Sequence, residues 1–325
     1  MDDARRKNIL EFATIPFLPL LVAALVMGAP HVEAKKTAPK AKPHPVAAHN
    51  DEDDTDTPVS AAVNAGQQGN GPLVLAAHGA TVLDTLTGDL LYEKNAYNRF
   101  YPASTTKILT ALLVIEAGDL DREVVIQPED THAEPSIIGF HPGERYTRRA
   151  LLYALMLKSA NDVAQALARD NAGSVAAFAD KMTQRAASLG ALDSHFANPN
   201  GLPNPNHYTT PHDLALIART AMQQPVFRQI VGTVEYPWVS AQGVCTPLRN
   251  HNRLLWDQHW KVDGCTGLKT GYTVLAQQVL VSSALRNHRE VISVVMHSDK
   301  PGIWVDSKTL LTYGLAHLPG GVRFD

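Results

Sequence analysis

Residues 267–298 read GLKTGYTVLAQQVLVSSALRNHREVISVVMHS, and this run decides the fold class. Three β-rich pieces, 267–275, 277–286 and 289–298, are separated by turn residues and read as a meander of neighbouring strands. The sequence DSKTLLTYGLAH at 306–317 then reads as a closing helix. More strands lie far upstream, where LVLAAHGATVLD (73–84), the turn TLTGD with Gly88, and LLYEK (90–94) make a β-hairpin. The intervening chain is mostly helical. A helix starts near Ser104 and ends at Gly118, with Ile108, Leu109, Leu112, Leu113 and Ile115 as its apolar face. Tyr146 to Lys158 and Ser174 to Leu189 are helical by period, and Pro211 to Gln223 is a further helix with Thr210 as its N-cap. The expected fold is α+β: an antiparallel sheet built from both chain ends, carrying a mostly helical subdomain.

The whole chain has 325 residues, 45% of them apolar, and a formal charge of −3, enough to bury a sizeable core. That balance leaves no electrostatic footprint for nucleic acid, so a partner has to be argued from a site. Residues 1–34 carry Arg5, Arg6 and Lys7, an apolar run from Ile15 to Met27, and the small-residue pattern Val32-x-Ala34, the layout of a signal peptide. Pro16 and Pro19 cut the continuous helix below the roughly 20 apolar residues needed to cross a bilayer. A cleaved signal is therefore the expectation, with an uncleaved anchor as the alternative; either way the remainder is exported, and any membrane attachment runs through this segment. Residues 35–71 are basic and proline-rich, then acidic from Asp51 to Asp56, then small and polar, and they read as a disordered linker. Residues 72–325 form the expected folded domain.

Two cysteines, Cys245 and Cys265, are present. In an exported chain they form either one structural disulfide or two free thiols, and their spacing fits both. The 14 histidines include no His-x-x-x-His pair on an expected helix beside an acidic residue, so no metal site is expected, and His207 and His212 read as structural.

Three polar strings sit at element boundaries: Ser104-Thr105-Thr106-Lys107, Ser159-Ala160-Asn161 and Lys269-Thr270-Gly271. Each has a bland reading. Ser104 can simply cap its helix while Lys107 is a solvated charge; Ser159 with Asp162 resembles a capping box; Lys269 can protect an exposed strand edge. Each also has a chemical reading. Ser104 and Lys107 share a helix face, so the amine can reach the hydroxyl, and a lysine whose pKa is lowered by burial or a nearby cation can serve as its base. Ser159 can pass a proton and the Asn161 amide can hold a substrate peptide group. Lys269 and Thr270 can bind a terminal carboxylate, Gly271 allows close approach of a ligand, and the backbone N–H of Tyr272 can complete an oxyanion hole.

The joint occurrence of these strings, in this order and in an exported chain, matches the Ser-x-x-Lys, Ser-Asp-Asn and Lys-Thr-Gly set of penicillin-binding proteins and β-lactamases, with Ala160 at the central position of the second motif. The flanks LDTLTGDLLYEKNAYNRFYPASTTKILTALL, LMLKSANDVAQALA, FANPNGLPNPNHYTTPHDLALIA and VDGCTGLKTGYT agree as well. Over roughly residues 72–318 the chain resembles the low-molecular-mass penicillin-binding proteins that are D-alanyl-D-alanine carboxypeptidases. That resemblance implies a penicillin-binding-protein-like fold, Ser104 as the acylated nucleophile, Lys107 as its base, Ser159 and Asn161 as proton shuttle and substrate clamp, and Lys269 and Thr270 as the carboxylate-binding pair. It further implies the D-Ala-D-Ala end of peptidoglycan stem peptides as substrate, β-lactams as covalent inhibitors, and no metal or organic cofactor.

The chain departs from the usual pattern in three places. Ala276 is followed by Gln277 where relatives carry glycine, His297 follows Val294-Val295-Met296 where many carry glycine, and an arginine often found near the start of the closing helix is missing. Alternatives on the same residues are a DD-endopeptidase or transpeptidase, a serine β-lactamase, for which no Glu-x-x-Leu-Asn-like string occurs between Asn161 and Lys269, and a peptidoglycan-binding module without catalysis.

Overall fold

A computed structural model describes residues 73–318. The segments read above as signal and linker lie outside the described residues. The hairpin is β1 (Gly79–Asp84) and β2 (Leu90–Lys94), and the first helix is α1 (Lys107–Glu116). There follow β3 (Glu123–Val125), β4 (Arg145–Thr147), α2 (Arg148–Tyr153), α3 (Asn161–Ala172), α4 (Val175–Ser188), α5 (Pro211–Met222) and α6 (Pro225–Gly232). The chain closes with β5 (Glu235–Val239), β6 (Cys245–Arg249), β7 (Cys265–Thr273), β8 (Gln277–Arg286), β9 (Arg289–Ser298) and α7 (Gly302–His317).

Five strands make one antiparallel sheet in the order β2-β1-β9-β8-β7, so the upstream hairpin adds to the downstream meander through β1 against β9. This is the expected union of both chain ends. The meander strands are apolar nearly throughout because both sheet faces are covered. Leu83, Val281, Ile292, Val294 and Met296 face the core shared with α1 to α6. Val82, Leu280, Val291 and Val295 face Ile303, Leu310 and Leu311 of α7. Helix α1 runs through the middle of the helical layer and is buried from Lys107 to Val114, so it is apolar on nearly every side apart from the end that carries the lysine.

Local rules account for the helix starts. The Ser174 side chain accepts from Ala177 N, and Thr210 accepts from Asp213 N with Pro211 at the first helical position. The expectation for Tyr146 is corrected: it pairs with Val124 in β4, and the helix starts at Arg148 with Thr147 as its cap. Helices α3 and α6 and the β5–β6 hairpin were not anticipated. The two departures from glycine have a common structural setting, since Gln277 and His297 both adopt φ of 54°, the left-handed region that glycine enters most easily.

The candidate disulfide does not form. Cys245 is exposed in the separate two-stranded β5–β6 sheet, whereas Cys265 begins β7 in the main sheet with its Sγ 3.6 Å from Gly267 O. Of the two readings left open by the sequence, two free thiols on different sheets is the one found, and burial pushes the Cys265 thiol up to about 11.

Helix α7 lies close to the sheet at Gly314, where an added Cβ would stand 2.5 Å from Val82 Cγ1 and 3.3 Å from Val291. Both neighbours are stiff, buried and β-branched, so the layer has no room to yield. Gly314→Val is expected to lower unfolding free energy by about 1–3 kcal/mol, read as a shifted denaturation midpoint at unchanged slope.

Candidate active site

The three polar strings converge on one cleft of about 260 Å³. Its lining includes Ser104, Ser159, Asn161, Thr270, Gly271 and Tyr272. Ser104 lies in a short 3-10 turn, Ala103–Thr106, that leads directly into α1, and this turn sets its hydroxyl at the helix entrance. No side-chain cap is made there, which leaves the hydroxyl to other partners.

Lys107 sits one turn further on with 0% of its surface exposed. Its Nζ lies 3.0 Å from Ser104 Oγ, 2.7 Å from Asn161 Oδ1 and 2.7 Å from Asn200 O. Two of those oxygens can only accept; the Ser104 hydroxyl can also donate. Burial holds the Lys107 amine well below its usual value, and the nearby Lys269 charge pushes in the same direction, with Asp162 opposing both.

The strand β7 supplies the opposite wall. It is an edge strand of the sheet, and an added Cβ at Gly271 would stand 2.8 Å from Ser104 N and 3.2 Å from Thr105 N. Only glycine lets the strand pass this close to the Ser104 turn. Lys269 is 1% exposed and donates from Nζ to Thr270 O at 3.0 Å, so its charge lies beneath the cleft floor rather than in bulk water.

Ser159 ends the π-turn Ala154–Lys158 with a φ of 65°. It is not part of a capping box: Asp162 turns instead to the backbone N–H groups of Ile138 and Gly139. Asn161 opens α3 and uses both ends of its amide. Oδ1 accepts from Lys107, while Nδ2 donates to Glu134 O at 2.8 Å and Pro135 O at 3.1 Å.

Sequence reasoning missed Asn200 and the support beneath Lys107. The turn 198–201 presents the Asn200 carbonyl because Asn198 Oδ1 accepts from Gly201 N at 2.7 Å and Thr110 Oγ1 donates to Pro199 O at 2.7 Å. A Cβ at Gly201, which has a φ of 88°, would overlap Ala103 O at 1.8 Å. The Asn-Pro-Asn-Gly string was the available signal, since such strings mark turns. His207, read from the sequence as structural, is buried and hydrogen-bonded on both ring nitrogens. Its Nδ1 accepts from Ala197 N at 3.0 Å, which leaves Nε2 to donate to Thr106 Oγ1 at 2.8 Å, next to Lys107. Burial first, then His195 and Lys107, lower its pKa to about 3, so it is neutral at ordinary pH.

A profile of the D-alanyl-D-alanine carboxypeptidase family matches residues 65–300. The carboxypeptidase DacB2 of Mycobacterium tuberculosis is 36% identical over 244 residues, covering 73% of this chain and 82% of that protein. The carboxypeptidase DacF of Bacillus subtilis is 32% identical over 230 residues, 69% of this chain and 58% of its own longer length. The crystal structure of the Streptomyces K15 DD-transpeptidase superposes with a TM-score of 0.70 at 34% identity, covering 76% of this chain and 99% of that one.

His207 has a consequence for stability. The folded state keeps it neutral, whereas the unfolded chain takes up a proton below about pH 6.5. Stability is therefore lost as pH falls from about 6.5 toward 3, by up to ~1.4 kcal/mol per pH unit. His207→Gln is expected to be less stable at pH 7 yet to lose less on going to pH 4.5, as measured by urea unfolding at both values.

Proposed function

The chain belongs to the D-alanyl-D-alanine carboxypeptidase family, and we propose that its cleft removes the terminal D-alanine from peptidoglycan stem pentapeptides through an acyl-enzyme on Ser104. The observation that carries this reading is the environment of the Lys107 amine. As a neutral amine it donates its two hydrogens to Asn161 Oδ1 and Asn200 O, the two oxygens that only accept. Its lone pair is then left facing the Ser104 hydroxyl 3.0 Å away. That is the arrangement a general base needs, and burial with the Lys269 charge favours the neutral form it requires.

The steps follow from this. Ser104 Oγ attacks the carbonyl of the penultimate D-alanine as its proton passes to Lys107 Nζ, and the carbonyl oxygen takes the negative charge. The backbone N–H groups of Ser104 and Tyr272 stabilise that charge, where β7 approaches the nucleophile turn at Gly271. Collapse of the adduct breaks the C–N bond, and the leaving amine collects the proton through Ser159. Water then adds to the ester as Lys107 takes one of its protons, and collapse of that adduct passes the proton from Lys107 to the departing Ser104 oxygen, which releases the shortened peptide and restores the hydroxyl and the neutral amine. Lys269 and Thr270 hold the terminal carboxylate, Lys269 by its charge and Thr270 by its hydroxyl at the cleft wall. A β-lactam acylates Ser104 by the same first half and, with its ring opened rather than expelled, stays attached.

Export to the cell-wall space accompanies this reading, supported by the amino-terminal layout of residues 5–34. Among the described residues no helix is long and apolar enough to cross a membrane. The Streptomyces K15 protein is a DD-transpeptidase, which makes transfer to an amine the second reading.

A fluorescent penicillin is expected to label the wild-type protein and not Ser104→Ala; equal labelling of both, or none of the wild type, contradicts the assignment. With a pentapeptide ending in D-Ala-D-Ala, free D-alanine is expected with the tetrapeptide as co-product. Free D-alanine accompanied by a peptide joined to an added glycine or D-amino acid would indicate transpeptidation. Lys107→Arg, which keeps the charge but cannot become a neutral base, is expected to lower the labelling rate at least a thousandfold.

A further inference from the structure

The buried carboxylate of Asp162 belongs to no step above, yet it lies next to Asn161 in a notable arrangement. Residues 134–139 run along the start of α3, and the two adjacent side chains take opposite halves of that backbone. Asn161 takes carbonyls: Nδ2 donates to Glu134 O and Pro135 O, and its own backbone N–H donates to Ser136 O at 2.8 Å. Asp162 takes amides: Oδ2 accepts from Ile138 N at 3.0 Å and Gly139 N at 2.9 Å, and Oδ1 accepts from Ile138 N at 3.1 Å and Val163 N at 2.8 Å. Ser136 Oγ adds a bond to Lys158 O at 3.0 Å. Pro135 and Ser136 form part of the cleft wall.

An asparagine amide can sit either way round, and only one way presents an oxygen to Lys107. The reversed amide would turn N–H groups toward the amine and an oxygen toward two carbonyls, leaving buried polar groups without partners. The loop carbonyls therefore choose the orientation, and something must hold the loop. We infer that Asp162 is a positioning residue: its carboxylate anchors the 138–139 amides so that the Glu134 and Pro135 carbonyls lock Asn161 with Oδ1 on the Lys107 amine.

The inference rests on Lys107 acting as the base for Ser104. It also carries an electrostatic corollary. The groups facing Lys107 are Lys269 from β7, Asp162 from α3 and neutral His207 behind Thr106. Asp162 is the anion among them and favours the charged amine, so removing its charge lowers the Lys107 pKa further. An anchor and a charge predict different signatures, which two substitutions separate.

Asp162→Asn removes the charge and half of the acceptor capacity; Asp162→Glu keeps the charge and displaces the anchor by one methylene. Both are expected to slow acylation by a fluorescent penicillin at least tenfold at pH 7. The acid limb of the pH–rate profile is expected to move to lower pH in Asp162→Asn and to stay in place in Asp162→Glu. Amide hydrogen exchange at Ile138 and Gly139 is expected to accelerate in both variants, and this readout is independent of acylation. Wild-type exchange at those two amides in Asp162→Asn would overturn the anchor even if no variant acylates. An unmoved acid limb in Asp162→Asn would overturn the electrostatic corollary, and acylation by that variant at the wild-type rate while exchange at Ile138 and Gly139 is accelerated would overturn the positioning role. A wild-type protein that takes no label while the exchange result holds would fault the Ser104 reading and leave the anchor standing.

Discussion

Everything in the cleft depends on keeping one lysine amine out of water. A charged ammonium loses its hydration when buried, and without a carboxylate directly against it the neutral form is favoured. Lys107 has this setting: it bonds a hydroxyl, a side-chain amide oxygen and a backbone carbonyl, and no carboxylate touches its Nζ. Lys269, also buried, adds a second positive charge at the same site. The stem of Lys107 is buried along with the rest of α1 from Lys107 to Val114, so the packing that stabilises the helix also excludes water from the amine.

The fold follows from what it takes to hold three partners around that amine. Ser104 comes from the entrance to α1, Asn161 from the start of α3, and Asn200 from a turn between α4 and α5. The sheet closes the fourth side, because joining β1 to β9 places the meander across the helical layer with β7 at its edge. Two glycines set the tolerances. Gly271 lets β7 lie against the Ser104 turn, and Gly201 lets the Asn200 turn pass beneath Ala103. A methyl group at either position would meet backbone, which cannot rotate away as a side chain can. Catalytic positions need to be held within about half an ångström, and backbone-on-backbone contacts of this kind hold them.

Much of this was legible in the sequence, for physical reasons that differ from element to element. The meander and hairpin were readable because both faces of the sheet are buried, which writes long apolar runs between turn residues. The start of α5 was readable because Thr210 and Pro211 are a strong local signal that the structure uses as a cap. Tyr146 was misread since a three-residue strand followed at once by a helix leaves no room for either period to separate from the other. Helix α3 opens inside the second motif, where the polar residues belong to the cleft rather than to an amphipathic pattern. The site motifs stood out by their joint order and not singly. Asn200 escaped because it acts through its backbone carbonyl, a contact with no residue-type signature, whereas His207 was legible as structural although its link to Lys107 through Thr106 was not. The state of Cys245 and Cys265 stayed open because sequence spacing does not report that the two residues lie on different sheets.

The neutrality of Lys107 is the claim on which the chemistry turns, and it can be measured on the amine itself. Protein carrying nitrogen-15 in its lysine side chains, with Lys107→Arg used to assign the resonance, can be titrated by NMR. The account predicts that the Lys107 Nζ signal changes protonation well below the usual lysine value of about 10.4, with the neutral amine populated where the enzyme works. A Lys107 signal that titrates at the ordinary value, together with the other lysines, would contradict it.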